Sequence, residues 1–227
     1  MISFFSGTNV ELSKSFSRVV NYKTEFIPPA PFEFSLETND LKVIQGKSFN
    51  LGVTTVGDVI PEETKVFYDN QEYYLQEKSS GIFTFTFTNV LENVDFYLEA
   101  NGVRSKTYTL EVIKTPTIQN ILLKLDYPVH TGKKDEQVDN SSTLLVPEGT
   151  SIEWEVTTSQ TDSLSFIENQ KRNNFNLKNK NVFTYEKKVM RSTAYQITSS
   201  NAELRDYEKL PYNIRVVKDE FPTILVQ

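Results

Sequence analysis

Few side chains in this sequence are suited to catalysis. His130 is the only histidine, and the sequence contains no cysteine. A Ser-His-Asp triad could form only through His130, and no Gly-x-Ser-x-Gly elbow supports one. Without thiolates, disulfides, zinc–thiolate sites, iron–sulfur clusters and thiol nucleophiles are excluded. A metal site needs three or four ligands, so His130 is expected to be an ordinary loop residue.

Acidic residues gather at two places where calcium could be held. Asp135 and Glu136 lie close to Asp139, and Asp219 is followed by Glu220. Calcium needs six to eight oxygen ligands in a defined loop, and the spacing of an EF-hand loop is absent. Both groups are therefore predicted to be solvated loop charges. No carboxylate pair stands out as a glycosidase pair. We predict no catalytic residue, no metal ligand and no cofactor.

The aromatic residues offer one further candidate site. Tyr73, Tyr74 and Tyr97 could form a stacking platform for a sugar or a peptide. Aromatic residues in strands also serve as cross-strand pairs or core residues, and the sequence leaves both interpretations open. The formal net charge of −6 is unfavourable for binding a phosphate backbone or an anionic lipid surface.

The elements that would position these side chains are repeated. Four segments of the first half return in the same order about 100 residues later, which indicates two copies of one domain. The matched segments are 45–55 with 148–158, 67–71 with 166–170, 82–85 with 182–185, and 108–114 with 212–218.

Apolar and polar residues alternate within the repeated segments, as they do in half-buried strands. The residues predicted to face inward are Phe49, Leu51, Phe83, Phe85, Leu98, Trp154, Phe183, Ile197 and Ile214. Turn signals recur at short intervals, and Asn101-Gly102 is the clearest hairpin signal. About seven short strands per copy predict an all-β protein of two tandem immunoglobulin-like β-sandwiches with an extended N-terminal segment.

The predicted organisation has four parts. Residues 1–30 form an N-terminal extension with a short helix at 7–18, and 31–115 and 116–221 form the two sandwiches. Residues 222–227 begin a third repeat, because Pro222-Thr223-Ile224 repeats the seam at Pro116. A polar insertion near the start of the second copy, at 127–142, is predicted to be an exposed loop.

Several motifs resemble a family of large envelope proteins of Bacteroidota that carry a domain of unknown function. The motifs are Pro29–Phe32, Val43–Gly46, Ile60–Glu63, Asn101–Ser105, Asp126–Gly132 and Val146–Thr150. The resemblance covers roughly residue 18 to the end, although His130 stands where the family more often has an aromatic. It implies N-terminal membrane helices and a periplasmic array of immunoglobulin-like domains, and it implies no reaction.

The sequence therefore predicts a non-catalytic spacer and protein-interaction module in the periplasmic part of a membrane-anchored envelope protein. We expect a protein partner in the cell envelope, no nucleic acid, and membrane attachment through flanking helices rather than direct lipid docking. A small-molecule ligand is left open. The alternative is a carbohydrate-binding or adhesion module at the cell surface.

Overall fold

The computed structural model describes residues 30–218, and almost all of its regular structure is β-strand. The predicted helix at 7–18, the third repeat at 222–227, and most of the N-terminal extension lie outside the described residues. Within residues 30–218 the chain forms two compact units. The first comprises residues 30–41, 50–87 and 94–110, and the second comprises 42–49, 88–93 and 111–218.

Within residues 30–218, twenty strands account for the fold. The first ten are β1 Phe32–Leu36, β2 Lys42–Ile44, β3 Phe49–Gly57, β4 Lys65–Tyr68, β5 Gln71–Tyr74, β6 Gln76–Ser79, β7 Ile82–Phe87, β8 Val94–Ala100, β9 Val103–Arg104 and β10 Tyr108–Ile113. The next ten are β11 Thr117–Asp126, β12 Glu136–Asp139, β13 Thr143–Pro147, β14 Thr150–Ser159, β15 Ser163–Glu168, β16 Lys171–Asn174, β17 Asn176–Asn179, β18 Val182–Val189, β19 Thr193–Ser200 and β20 Glu208–Val217. One 3₁₀ turn spans Val129–Thr131.

Strand pairing has the same order in both copies. The first copy contains the sheets β1-β3-β7-β6 and β2-β10-β8-β4-β5, with β9 paired to β8. The second contains β12-β11-β14-β18-β17 and β13-β20-β19-β15-β16. In each copy the first strand, β1 or β11, pairs antiparallel with β3 or β14 in one sheet. In the other sheet, β2 or β13 pairs parallel with the last strand of the copy, β10 or β20. This arrangement confirms the predicted all-β tandem immunoglobulin-like fold. The predicted boundary near residue 115 falls between β10 and β11.

The most clearly repeated motif is a turn that joins three parts of each copy. Gly46 donates its N–H to the carbonyl of Val90, and Gly149 donates to Val189, both at 2.8 Å. The preceding residue, Gln45 or Glu148, donates to the end of the last strand at 2.9 Å. Gly46 and Gly149 have φ of +76° and +86°, a conformation that residues with a Cβ rarely adopt. The turn therefore favours glycine in both copies.

The central aromatic of the second core is Trp154. Its side chain is fully buried, and its ring lies 5.2 Å from Phe166 and 5.7 Å from Tyr195, which belong to the opposite sheet. The indole Nε1–H donates to the hydroxyl of Tyr195 at 2.9 Å, so the polar atom is satisfied within the core. Burial raises the pKa of Tyr195 above its ordinary value. Contacts of this kind join the two sheets into one sandwich.

The predicted core is largely confirmed. Leu51, Phe83, Leu98, Trp154, Phe183, Ile197 and Ile214 are buried. Phe49 and Phe85 are only partly buried, because Phe49 begins its strand and Phe85 lies among Tyr68, Tyr73 and Phe87 rather than at the centre of the sandwich. The prediction that these two residues lie in the inward rows is right, but the prediction that they are buried is wrong.

One repeat match is displaced by a residue. The sequence pairs Phe67 with Phe166, but the structure makes Val66 the equivalent of Phe166. The two-residue turns Asp69-Asn70 and Asn169-Gln170, all with positive φ, fix this register. Val66 and Phe166 are both fully buried, as equivalent positions should be. A one-residue slip exchanges the two faces of a strand, so Phe67 points outward.

The insertion of the second copy is more ordered than predicted. It contains the 3₁₀ turn and the strand β12, which pairs antiparallel with β11 from Leu122↔Asp139 to Leu125↔Glu136. Most of the insertion is exposed, as expected, but Tyr127 is buried in the core, and it is wrong to describe the insertion as a loop throughout. It adds an edge strand to one sheet, and partly buried Val138 packs against the core.

Replacing Trp154 with alanine tests the core. Truncating a buried aromatic removes transfer free energy and leaves a cavity, so Trp154→Ala should lower the free energy of unfolding by about 3–5 kcal/mol. Leu177→Ala, at a side chain that is 61% exposed, is the matched control and should change it by less than about 0.5 kcal/mol. Denaturant titration measures the free energy of unfolding of both variants. Equal denaturant midpoints for the two would contradict the assignment of Trp154 to the core.

Candidate interaction surface

His130 lies in the 3₁₀ turn Val129–Thr131 and is exposed. The turn follows Pro128 and ends at Gly132, whose φ is +64°. Thr131 donates its hydroxyl to the carbonyl of Pro128 at 2.8 Å and closes the turn locally. Within residues 30–218 no three or more histidine, cysteine or carboxylate side chains converge on a possible metal position. The structure therefore places His130 in an exposed connection between strands.

The acidic residues of the insertion also serve local structure. Glu136 begins β12 and accepts a hydrogen bond from the hydroxyl of Tyr127. Burial, and then this hydrogen bond, raise the pKa of Tyr127 to about 12. Asp135 and Asp139 are exposed. The second predicted group, Asp219-Glu220, lies outside the described residues.

The outer face of the β11–β14–β18 sheet is charged and internally paired. Glu155 accepts hydrogen bonds from Lys124 and Lys178, both at 2.8 Å, and Lys124 also reaches Glu153 at 3.4 Å. The lysine hydrogen bonds, Lys124 first, lower the pKa of Glu155 to about 2. Both of these lysines are paired with carboxylates of the same sheet face, which is the usual state of a solvated sheet face.

The three tyrosines of the candidate platform do not share a face. Tyr73 points inward, with its ring 4.8 Å from Tyr68 and 5.8 Å from Phe85. Tyr97 points outward and is paired across the strands with Phe67. Tyr74 also points outward, and Lys65 lies 4.8 Å from its ring centroid. The alternation of side chains along β5 separates Tyr73 from the other two.

Tyr97 forms a closed stack rather than an open platform. Its ring is parallel to that of Phe67, with an interplanar angle of 1° and centroids 4.8 Å apart. The Arg104 guanidinium carbon lies 3.4 Å from the Tyr97 centroid. Because the centroid distance equals the strand spacing, the rings stand upright on the sheet and cover each other's faces. A sugar that stacks flat on a ring needs an open face, so this geometry favours the cross-strand pair.

The equivalent face of the second copy is polar. Ile167 and Gln196 occupy the paired positions of Phe67 and Tyr97. Beside them, Arg172 donates to both carboxylate oxygens of Asp206, at 2.9 and 2.7 Å, and Thr198 donates to the same carboxylate at 2.8 Å. These hydrogen bonds, Arg172 first, lower the pKa of Asp206 to about 2. The network ties the 201–207 loop to two strands.

One edge of the first copy borders a groove of about 510 Å³. The inner side chains Phe34 and Leu36 of β1 form one wall, and Arg104 and Lys106 form part of the other. The exposed Glu33 lies on β1 itself. Charges at an edge oppose pairing with an unrelated strand, so this groove is a weaker candidate than an apolar surface.

An apolar surface lies at the end of β3. Val56, Val59 and Ile60 are 61%, 44% and 52% exposed, and they occur within five consecutive residues. Val56 belongs to β3, whereas Val59 and Ile60 belong to the loop of residues 58–64, which connects β3 to β4. We call Val56, Val59 and Ile60 the loop patch. Single exposed apolar residues are ordinary, but a local group of three indicates a contact surface.

The backbone around the loop patch is held in place. Asp58 and Val59 donate their N–H groups to the carbonyl of Pro31, at 3.0 and 3.4 Å. Gly57 allows this approach, because a Cβ there would lie 2.4 Å from the Pro31 oxygen and 2.5 Å from the Phe32 Cα. Farther along the loop Pro61 and Thr64 are buried. The exposed apolar side chains therefore project from an anchored loop.

Sequence reasoning did not single out the loop patch as a surface. It treated Ile60–Glu63 only as a motif of the family resemblance. The signal that would have found it is a difference between the copies. The corresponding connection of the second copy, between β14 and β15, contains only the polar residues Gln160, Thr161 and Asp162.

Comparison with known proteins finds solved structures of low sequence identity and low TM-score. No protein-family model and no curated protein matches the sequence. The fibronectin(III)-like modules of Clostridium thermocellum CbhA are 11% identical, with 86% of this chain and 99% of that chain covered and a TM-score of 0.35. Rst D1-D2 is 12% identical over 82% of this chain and 100% of that chain, and bovine butyrophilin is 12% identical over 83% and 100%, each with a TM-score of 0.41.

The strand order and register, rather than these weak likenesses, define the class. The chain is a tandem pair of immunoglobulin-like β-sandwiches. None of the helical segments in the described part of the chain has the length and apolar character needed to cross a membrane.

Acid should remove the stability that the Arg172–Asp206 ion pair gives to the second copy. The pKa of Asp206 in the folded protein, about 2, lies below its ordinary value of about 3.9, so the pair stabilises the fold above pH ~4 and is lost as the pH falls through about 2. Asp206→Asn should reduce the free energy of unfolding by about 1–2 kcal/mol at neutral pH. The difference from the unmodified protein should shrink towards zero near pH 2.

Glu203→Gln, in the same loop, controls for simple loss of a negative charge. Urea titrations at several pH values measure both variants. An identical dependence on pH for Asp206→Asn and the unmodified protein would contradict the stabilising role of this pair.

Calcium should not change stability. A ligand that binds only the folded state stabilises it, by ~2.7 kcal/mol at 100 times its dissociation constant. Thermal melting in chelator and in millimolar calcium should therefore coincide. A rise of several degrees in calcium would overturn this expectation, and neutral variants at Asp135 and Asp139 or at Asp219 and Glu220 would then locate the ion.

Proposed function

We propose that this chain is a non-catalytic spacer and protein-interaction module of a membrane-anchored bacterial envelope protein, and that it lies in the periplasm. The observation that carries the interaction role is the loop patch, in which an anchored loop exposes Val59 and Ile60 next to the exposed Val56 at the end of β3. Immunoglobulin-like sandwiches support many functions, so the specific role must come from such a local surface rather than from the fold.

The position of the loop patch suits binding. Loops at the end of a sandwich tolerate sequence changes that the sheets do not, because their side chains are not part of the core. Binding of a partner would remove apolar surface of Val56, Val59 and Ile60 from water. The favourable free energy of this burial is about 25 cal/mol per Å². An anchored loop also loses less conformational freedom on binding than a free one.

The periplasmic location and the membrane anchor follow from the family resemblance. The net charge of −6 favours attachment through flanking membrane helices over direct adsorption to anionic lipid. The carbohydrate-binding alternative receives no support from the aromatic residues, since Phe67, Tyr97 and Arg104 cover one another.

Photo-crosslinking in cells tests this proposal. A photoreactive amino acid replaces Val59 in the full-length protein in its native host, and a second strain carries it at Leu177, which is 61% exposed in the other sandwich. We expect a discrete crosslink to an envelope protein from position 59 and none from position 177. No crosslink from position 59, or equal products from both positions, would contradict the interaction role.

The absence of native cysteine makes the location directly measurable. Within these 227 residues Val59→Cys introduces a single thiol, and any cysteine elsewhere in the full-length protein is first replaced. A membrane-impermeant maleimide should label it in spheroplasts, and the protein should fractionate with membranes. Labelling only after lysis would contradict the periplasmic location.

A further inference from the structure

The loop patch has a charge character of its own. The 58–64 loop contains Asp58, Glu62 and Glu63, all exposed, and no lysine or arginine. The apolar side chains of Val59 and Ile60 lie between these carboxylates in the sequence. Along this loop, exposed apolar residues are therefore flanked by exposed acidic residues. Interfaces commonly place apolar anchors at the centre and charged groups at the rim, where the charges determine which partner is accepted.

The loop patch is not required by the fold. The second copy forms the same sheet order with a three-residue polar connection at the equivalent place. The same hydrogen bond closes the neighbouring turn in both copies, from Thr55 to the carbonyl of Gly81 and from Thr158 to that of Asn181. Only the first copy adds exposed apolar residues there, and it carries three exposed carboxylates where the second copy has Asp162 alone. Since folding does not need them, their contribution lies at the surface.

The loop is also shaped before any partner binds. In addition to the two hydrogen bonds to Pro31, a Cβ on Gly81 would lie only 3.4 Å from Ile60 Cγ2, so the loop rests against the neighbouring turn. Ile60 remains 52% exposed in this position. A fixed apolar side chain of this kind can fill a small pocket or contact a partner's apolar side chain without a large entropic cost.

We propose that the loop patch binds a protein segment that presents large apolar side chains flanked by lysine or arginine. This inference rests on the proposed interaction role and names the chemistry of the partner. The apolar side chains of the segment would contact Val56, Val59 and Ile60, while its cations would face Asp58, Glu62 and Glu63. An acidic segment of the same shape would be rejected by like-charge repulsion.

Two synthetic peptides test the proposal on the full 227-residue chain. One alternates isoleucine with lysine, and the other alternates isoleucine with glutamate. Fluorescence anisotropy at low and physiological salt should show binding of the lysine peptide and not of the glutamate peptide. Ile60→Asp should weaken the lysine peptide about tenfold or more, as loss of a central apolar anchor does. The double variant Glu62→Lys with Glu63→Lys should reverse the preference between the peptides.

Matched controls separate this surface from general attraction to an acidic protein. Val129→Asp introduces the same charge at another exposed apolar residue, and Asp126→Lys with Glu186→Lys makes the same charge change on the second copy. Both should leave binding of the lysine peptide within about twofold of the unmodified chain. An equal loss with the second-copy double variant would overturn the proposal, because binding would then be nonspecific.

A different binding partner at the loop patch would give different results in these experiments. Concentration-dependent dimerisation that Ile60→Asp abolishes would assign the loop patch to a second copy of this chain. A monomeric protein that fails to bind either peptide and loses thermal stability in Ile60→Asp would assign it to the chain's own residues before Ala30. Both results overturn the inference. A crosslinked envelope protein at Val59 whose contact segment lacks basic residues would also overturn it while leaving the proposed function intact.

Discussion

The contact between the inner faces of two sheets is the constraint on which each copy depends. In the second copy, Trp154 reaches across the interior to Phe166 and Tyr195, and its one polar atom is satisfied by the Tyr195 hydroxyl. In the first copy, Phe87 makes the corresponding connection to Tyr68 and Phe96, with ring centroids 5.1 and 5.3 Å apart. Because a packed interior tolerates neither voids nor unpaired polar groups, these contacts fix which residues of every strand face inward.

The two copies share their core contacts but differ in their outward-facing residues. Turns and ring pairs that close the sandwich occur twice with nearly the same geometry: Phe96 stacks on Tyr108 and Tyr195 on Tyr212, each with centroids 5.4 Å apart. The outward positions differ from one copy to the other, as at Phe67 and Ile167. Packing constrains the identity of core residues, whereas contacts with solvent and with partners constrain the outward residues. Differences between the copies are therefore the most informative places to look for function.

The loop patch differs in kind from the other surfaces. The charged sheet face of the second copy is internally matched, since Lys124 and Lys178 both reach Glu155. Two outward rings of the first copy, Phe67 and Tyr97, are covered by each other and by Arg104. Val56, Val59 and Ile60, by contrast, leave apolar area in water on a backbone already held by Pro31. Exposed apolar area that the fold does not need is the feature with the most to gain from a partner.

The sequence by itself determined the duplication, the all-β class and most of the inward rows. These properties are local: a period of two places alternate side chains on one face, and the Asn101-Gly102 turn has the predicted positive φ values of 46° and 76°. Only the tertiary structure decided the one-residue register that makes Val66 the equivalent of Phe166, the partial exposure of Phe49 and Phe85, and the formation of β12. It also separated Tyr73 from Tyr97 and exposed the loop patch. Each of these depends on contacts between residues far apart in the chain, which the pattern along one strand does not specify.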